Sequence, residues 1–272
     1  LVMVILANLL ITRAVWRGGT DPLAEELKKE GERYWIKVFH SPAEEFRLTD
    51  ETLQRAALRE LKDWDEPGDH RPFYLVATSP AAAEALAKLP LLLAAMKTRQ
   101  SRLKYAAIGE DTAFHFWEAL KPNDLGPERY RQILVPTVSG HFDKLADSIL
   151  VRAKPGTMVG LLESAEDSNT LTQRLISGGV RVVRMPVYSR SVRELIDLPK
   201  DGTPWWVLVT SSLAAKGTLL ELNRQKVDLQ KVTFIGSVPA IGQTIQKQLP
   251  DAKWVTVEEL TAHNILDRIA KA

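Results

Sequence analysis

The sequence repeats itself imperfectly, and this internal duplication limits most strongly how the chain can fold. The apolar run FYLVATSP at 73–80 is matched by WWVLVTSS at 205–212, and their Thr-Ser pairs lie 132 positions apart. A second pair of segments, KYAAIG at 104–109 and KVTFIG at 231–236, lies 127 positions apart. Residues 9–31 also resemble residues 157–179. Because the offset changes, we expect two similar halves that differ mainly in their loops.

Each half has the pattern of strand, helix, strand, helix. The strands are short runs rich in Val, Ile and Leu, which is typical of strands buried on both faces. Leu23 and Leu27 share one face of a predicted helix that Gly31 ends, and the Ala-rich segment 80–89 favours a helix. This alternation predicts an α/β fold with two Rossmann-like domains, each a parallel sheet with helices on both faces.

The loops after the strands are the expected binding region, because open α/β sheets bind ligands beyond the carboxyl ends of their strands. If the two lobes face each other, these loops line one cleft. The loops are Thr12-Arg13, Thr78-Ser79-Pro80 and residues 109–112, 163–169, 210–212 and 236–243.

The composition excludes several classes of function. The 272 residues carry a formal net charge of only +2, which gives no general attraction for nucleic acid or an anionic membrane surface. The sequence has no cysteine, so disulfides, thiolate catalysis and Cys-ligated metals are excluded, which suits the cytoplasm. The apolar segment 1–11 is too short for a membrane span and lacks the basic start of a signal peptide. We interpret it as a buried strand.

No motif indicates a metal or a cofactor. The histidines do not lie three to five residues apart, so they form no local metal pair; they are His40, His70, His115, His141 and His263. The acidic segment 63–69 (DWDEPGD) lacks the spacing of a calcium loop, and we expect a solvated turn. The chain contains no GxGxxG, GxxxxGK[ST] or GxSxG motif.

Six features in order resemble the uroporphyrinogen-III synthase family over nearly the whole chain. They are 11–13 (ITR), 76–80 (VATSP), 106–112 (AAIGEDT), 186–188 (PVY), 209–212 (VTSS) and 234–236 (FIG). The resemblance implies one discontinuous domain, 1–39 plus 189–272, and one inserted domain, 40–188. It also implies a two-stranded linker, which we assign to Ile36–His40 and 184–188. The first βα unit would then pack with the C-terminal strands.

The resemblance implies a cofactor-free cyclising lyase that converts hydroxymethylbilane with loss of water and inversion of the last pyrrole ring. We assign the acid that protonates the leaving hydroxyl to Tyr188, because a phenol with a pKa near about 10 is protonated at neutral pH. The alternative is a tyrosine that only packs between the lobes. The resemblance further implies a monomer, a linear tetrapyrrole as the small-molecule partner, and room for transient contact with the enzyme that supplies it.

The eight carboxylates of this substrate need hydrogen-bond donors and cations. The predicted donors are Thr78, Ser79, Thr112, Thr210, Ser211 and Ser237. Helix capping explains the first five equally well, since Ser and Thr are common helix caps. Arg13 and Lys231 are the predicted cations, with a solvated or salt-bridged side chain as the alternative.

The chain departs from the family pattern in three places. It has Ser237-Val238-Pro239 where a Thr is usual, and Ala14 where Pro is usual. The loop after the strand at 157–162 carries Glu163, Glu166 and Asp167 where Arg and Gly are frequent, and it would repel an acidic substrate if it faced the cleft. These departures leave open a non-catalytic two-lobe binding protein for a small molecule. A nucleotide or nucleotide-sugar enzyme is a third possibility.

Overall fold

A computed structural model describes residues 5–166 and 170–272 and divides the chain into two compact units. Unit 1 comprises Leu1–Phe46 and Ser191–Ala272, and unit 2 comprises Arg47–Arg190. The chain therefore passes between the units twice. The domain limits expected from the sequence, 39/40 and 188/189, stay predictions.

Strands and helices alternate along most of the chain. The strands are β1 (Ala7–Ile11), β2 (Val15–Trp16), β3 (Ile36–His40), β4 (Glu44–Leu48), β5 (Phe73–Ala77), β6 (Leu103–Ala107), β7 (Met158–Ser164), β8 (Arg181–Val192), β9 (Trp205–Leu208), β10 (Val232–Gly236) and β11 (Lys253–Thr256). The helices are α1 (Pro22–Gly31), α2 (Glu51–Trp64), α3 (Pro80–Ala87), α4 (Pro90–Lys97), α5 (Glu110–Leu120), α6 (Phe142–Leu150), α7 (Thr170–Ser177), α8 (Ser212–Arg224), α9 (Pro239–Gln248) and α10 (Ala262–Ala270).

Unit 1 contains a parallel five-stranded sheet in the order β11-β10-β9-β1-β3. Successive residues of β1 alternate between two apolar cores, as a strand buried on both faces requires. Leu9 and Ile11 pack with α1 and α10, and Leu10 packs with α8 and α9. The expected buried strand at the N-terminus is confirmed at Ala7–Ile11, and residues 1–4 lie outside the described residues.

Unit 2 contains parallel strands in the order β6-β5-β7-β8. Tyr74 and Val76 of β5 pack with α6 and α7 on one face. Phe73 and Leu75, which point the other way, are fully buried as well. The expected α/β class with a helix-covered parallel sheet in each half is confirmed.

The sheet of unit 1 and the four strands β5 to β8 share one topology. Numbered by their own chain order, the strands of unit 1 run 2-1-3-4-5 across the sheet, and β5 to β8 run 2-1-3-4. In such sheets the connections leave the first and third strands in opposite directions, which opens a crevice at their carboxyl ends. That crevice lies between β1 and β9 in unit 1 and between β5 and β7 in unit 2.

The two segments predicted as linker strands are both strands, but β3 is not a linker. Ile36–His40 is the edge strand of the unit 1 sheet and pairs with β1 along its whole length. The chain leaves unit 1 within β4 and returns within β8, whose first half pairs with β7. The sequence of β4 is EEFRL, which gives little strand signal, so the linker role of this segment is hard to predict.

Gly31 ends α1 as predicted, but for a different physical reason. It has an ordinary helical φ of −58°, so no left-handed cap is required. A Cβ at this position would lie 2.8 Å from the Ile36 carbonyl oxygen and 2.8 Å from Val38 Cγ2. The close approach of β3 to the end of α1 therefore requires glycine.

Candidate functional site

Thr78 and Ser79 form the turn between β5 and α3, at the crevice of unit 2. Thr78 is buried, and its backbone N–H and its hydroxyl both donate to the Leu162 carbonyl of β7, at 3.1 and 2.9 Å. Ser79 caps α3, because its Oγ accepts the Ala82 N–H at 3.1 Å. The Thr78 hydroxyl thus links β5 to β7, and the Ser79 hydroxyl caps the first turn of α3.

Tyr188 brings its hydroxyl to the same turn. Its side chain comes from β8 and is only 4% exposed, and its Oη lies 3.1 Å from Ser79 Oγ. The pairing of β7 with β8 is irregular here, since Glu163 pairs with Pro186 but Ser164 pairs with Tyr188. Such a bulge shifts the strand by one residue and changes the direction of the side chains that follow. The structure thus brings together Thr78, Ser79 and Tyr188.

Thr112 lies in the first turn of α5, which follows β6, the neighbour of β5 in the sheet. It is buried, and it is the third residue of the helix rather than its cap. The cap position is Gly109, which has no side chain to offer, so the capping role considered for Thr112 is wrong. A Cβ on Gly109 would lie 2.1 Å from Ser139 Oγ, which shows how closely the following loop passes.

Unit 1 holds a second group of predicted residues at the crevice between β1 and β9. Ser211 caps α8 through the Ala214 N–H at 3.0 Å and donates its own proton to Glu44 Oε2 at 2.8 Å. Arg13 follows β1, with its Nε 3.4 Å from Asp21 Oδ2, and its side chain is 40% exposed. Thr210, next to Ser211, is half-buried.

Ser237 and Lys231 flank β10 and lie at opposite ends of it. Ser237 is half-buried and follows the carboxyl end, two residues before α9 begins. Lys231 precedes the strand and lies at its amino end, beside a small cavity of about 210 Å³ that Trp205 also lines. The structure therefore does not bring Lys231 to the other predicted residues of unit 1.

Sequence reasoning missed Glu44 and His40. Glu44 is 3% exposed; one carboxylate oxygen accepts the Ser211 proton, and the other has no hydrogen-bond partner among the described residues. His40 ends β3, and burial is the main cause that lowers its pKa, although the Arg13 backbone and Asp21 act in the opposite direction. The available signal for Glu44 is the carboxylate doublet Glu44-Glu45, which follows β3 within a few residues.

A sequence comparison over nearly the whole chain decides the family. A family model described as uroporphyrinogen-III synthase HemD matches residues 21–262. The chain belongs to the uroporphyrinogen-III synthase family. The predicted resemblance is therefore confirmed.

Two solved structures share the fold of this family member. A mutant uroporphyrinogen III synthase from the extremely thermophilic bacterium Thermus thermophilus is 14% identical, with a TM-score of 0.55 over 97% of this chain and 99% of that chain. The uroporphyrinogen-III synthetase from Helicobacter pylori is 16% identical, with a TM-score of 0.53 over 94% of this chain and 98% of that chain. At these identities the likeness concerns the fold alone. A comparison with curated proteins finds no match.

In the acidic loop that departs from the uroporphyrinogen-III synthase pattern, one carboxylate is neutralised by an ion pair within unit 2. Glu163 is fully buried and ion-paired with Arg184. The Glu166 carboxylate accepts the Ser164 hydroxyl at 2.6 Å and the Arg190 N–H at 3.3 Å. The repulsion expected if this loop faces the cleft is therefore wrong for Glu163 and stays a prediction for the exposed Glu166, and Asp167 lies outside the described residues.

The other acidic segment, 63–69, is also more ordered than expected. Asp65 is ion-paired with Arg99 and Arg102, and Asp69 binds Arg71 at 2.6 Å and Arg102 at 3.0 Å. The predicted turn is present and exposed at Pro67-Gly68, whereas Asp65 and Asp69 on either side of it are held by arginines, two of which follow α4. Within 5–166 and 170–272, no group of three His, Cys, Asp or Glu side chains is arranged to hold a metal ion. No helix in these ranges has the length and apolar character to cross a membrane.

Proposed function

We propose that this chain is a uroporphyrinogen-III synthase that closes hydroxymethylbilane into a ring, with inversion of ring D and loss of water. The observation that carries the proposal is the hydroxyl pair of Ser79 and Tyr188, which lies at the carboxyl edge of a sheet in a chain of this family. A phenol held at a helix start is a suitable acid for a leaving hydroxyl group.

The hydrogen bonds at Ser79 are compatible with Tyr188 as a proton donor to the substrate. Ser79 Oγ accepts the Ala82 N–H, and either hydroxyl can be the donor in the Ser79–Tyr188 bond. When Ser79 donates, the phenolic proton is not used in that bond. Tyr188 then transfers that proton to the hydroxymethyl oxygen as the C–O bond breaks, and water leaves.

The surroundings of Tyr188 stabilise both products of this step. The phenolate that forms lies at the amino end of α3, where the helix dipole favours negative charge by about 0.3–1 kcal/mol or more. Tyr188 is 4% exposed, and we expect the bound azafulvene cation to be shielded from bulk water as well, because water would otherwise capture it. The proton that the closing ring loses restores the phenol.

We propose that the substrate carboxylates bind donors at the helix starts of each unit. Helix amino ends offer unpaired N–H groups, and Ser79, Thr112, Thr210 and Ser237 lie at or beside such ends. We expect Thr78 and Ser211 to contribute less, because their hydroxyl protons already go to Leu162 and Glu44. Arg13 remains the proposed cation.

We further propose that the protein works as a monomer in the cytoplasm as a water-eliminating, cyclising lyase. The cysteine-free sequence supports a reducing compartment. Transient contact with the enzyme that supplies hydroxymethylbilane would shorten the time in which this reactive substrate closes on its own. Light scattering of the purified protein at micromolar concentration tests the monomer, which predicts a mass near 30.4 kDa.

The product isomer tests the proposed activity. Freshly prepared hydroxymethylbilane is incubated with the protein and with heat-inactivated protein, and the oxidised porphyrins are separated by chromatography. The proposal predicts an excess of the type III isomer only with the active protein. Type I isomer alone in both samples would support the non-catalytic binding protein instead. Thermal stabilisation by a nucleotide with no type III product would favour the nucleotide enzyme.

A further inference from the structure

Unit 2 contains a cavity of about 760 Å³ at the edge of its sheet opposite to the Ser79–Tyr188 pair. Its walls come from the first residues of β5 and β6, from residues 126–127 and 131–135, and from Arg152, just after α6. The volume falls within the range of about 300–1,000 Å³ that is usual for small-molecule sites. Because strands run from this edge towards the crevice, the cavity is separate from the proposed active site.

Backbone hydrogen bonds build the outer wall of the cavity. The Leu134 N–H donates to the Tyr105 carbonyl at 2.9 Å, and the Ala107 N–H donates to the Leu134 carbonyl at 2.8 Å, so Leu134 extends the sheet beyond β6. At a second place in the wall, the Gly126 N–H donates to Tyr105 Oη at 3.0 Å. Gly126 has a φ of +94°, which favours glycine. The wall is therefore fixed at two places and the cavity is preformed.

Among the described residues, three cations line this cavity and no carboxylate does. Lys104, Arg131 and Arg152 are exposed, and within the described part of the chain none of them forms an ion pair. Arg152 gives one N–H to the Ser148 carbonyl at 2.9 Å, and Arg131 gives one to Tyr130 Oη at 3.3 Å. Both bonds hold the guanidinium groups in place without neutralising their charge.

The other residues that line the cavity supply hydrogen-bond donors and apolar surface. Tyr105 Oη accepts the Gly126 N–H, so its own proton is available to another acceptor. Burial raises the pKa of Tyr74 and of Tyr105, so both phenols stay protonated donors at neutral pH. Leu103, Ile133 and Val135 supply apolar surface. A ligand that fits these walls carries several negative charges on an apolar body.

We propose that this cavity is a second ligand site, which binds an organic polyanion of about nucleotide size independently of the proposed active site. Phosphates and carboxylates share the chemistry that three cations and two phenol donors recognise. The two sources are therefore a phosphorylated molecule, such as a nucleoside phosphate, and a ring-based polycarboxylate.

Calorimetric titration with two probes tests the site and distinguishes these sources. The probes are ATP without magnesium and benzenehexacarboxylate, each titrated into the parent, into Arg131→Gln/Arg152→Gln and into the control Arg55→Gln/Arg59→Gln. The control removes the same charge from the exposed face of α2. We expect at least one probe to bind the parent, with affinity at least 10-fold weaker in the cavity variant and unchanged in the control. Binding of ATP alone identifies a phosphate ligand, and binding of benzenehexacarboxylate alone identifies a polycarboxylate.

A milder variant guards against loss of folding in the double variant. Lys104→Gln changes an exposed side chain, and we expect it to weaken binding at least 3-fold while the melting temperature stays at the parent value. All variants should form the type III isomer at the parent rate in the absence of probe, because the cavity lies at the other edge of the sheet. The proposal is overturned if neither probe binds the parent, or if the control weakens binding as much as the cavity variants do.

Discussion

Ser79 and Tyr188 are 109 residues apart in the sequence, and their hydroxyl oxygens lie 3.1 Å apart in the fold. The serine comes from the turn after the central strand of unit 2, and the tyrosine comes from a bulged position two strands away. Ser79 also caps α3, so the same oxygen begins a helix and holds the phenol. This arrangement couples the position of the proposed acid to the start of the helix.

The caps Ser79 and Ser211 make a matched pair for measuring stability. Each loses a helix cap when replaced by alanine, which costs about 0.5–2 kcal/mol. Ser79→Ala also removes a neutral partner of the Tyr188 hydroxyl, whereas Ser211→Ala removes the donor of the buried Glu44 carboxylate. The loss of a partner costs more for a charged group, about 1–3 kcal/mol or above. Urea denaturation should therefore find Ser211→Ala less stable than Ser79→Ala. The reverse order would contradict the role given to Glu44.

Replacing either of two helical glycines by alanine should change the stability of the protein, but in opposite directions. In α9, a Cβ on Gly242 would lie 2.6–2.7 Å from the Trp254 ring, and we expect Gly242→Ala to destabilise by about 1–3 kcal/mol. In α8, a Cβ on Gly217 meets only Val192 Cγ1 at 3.6 Å, and we expect Gly217→Ala to stabilise by about 0.5–1 kcal/mol. The measurement is the free energy of unfolding of each variant relative to the parent. If both substitutions stabilised the protein, or both destabilised it, this packing argument would be refuted.

The pair of Asp69 and Arg71 predicts a dependence of stability on pH. The hydrogen bond from the Arg71 side chain, with help from Arg102, holds the pKa of Asp69 well below its ordinary value, against the effect of burial. A carboxyl whose pKa is lower in the folded than in the unfolded protein stabilises the fold. The contribution is fully present above the unfolded pKa of about 4 and is lost as the pH falls towards the folded pKa.

Asp69→Asn removes this contribution. We expect a loss of about 1–3 kcal/mol at pH 7, at the lower end because water reaches Arg71 and screens the pair. The difference between parent and variant should shrink from pH 6 to pH 3 in urea denaturation. A difference that stays constant with pH would show that the charge of Asp69 is not what stabilises this region.

The sequence predicts the strands and the central helices of both units because their signals are local. The apolar runs at 73–77 and 205–208 are strands, and the serines that follow them cap α3 and α8. For Lys231, the sequence also contains a signal that separates it from the other predicted site residues. The lysine stands before the run VTFIG, so it must lie at the amino end of that strand, away from the binding edge.

The contacts of charged side chains were not predictable because their partners are distant in sequence. Asp65 meets Arg99 and Arg102 only after α2 and α4 have packed together. Glu163 meets Arg184 through the pairing of β7 with β8. Charge density in the sequence predicts a solvated turn and a repulsive loop in these two places. The turn is present and exposed, but ion pairs neutralise Asp65 beside it and Glu163 at the start of the loop.

Replacing Tyr188 by phenylalanine tests the central claim most directly. The variant keeps the ring and removes only the hydroxyl, so we expect it to fold like the parent and to form the type III isomer about 10²–10⁴-fold more slowly. Tyr34→Phe in unit 1 is the matched control and should form it at the parent rate. The measurement is the initial rate of type III formation from hydroxymethylbilane, and Tyr188→Phe acting at the parent rate with the same isomer would contradict the account.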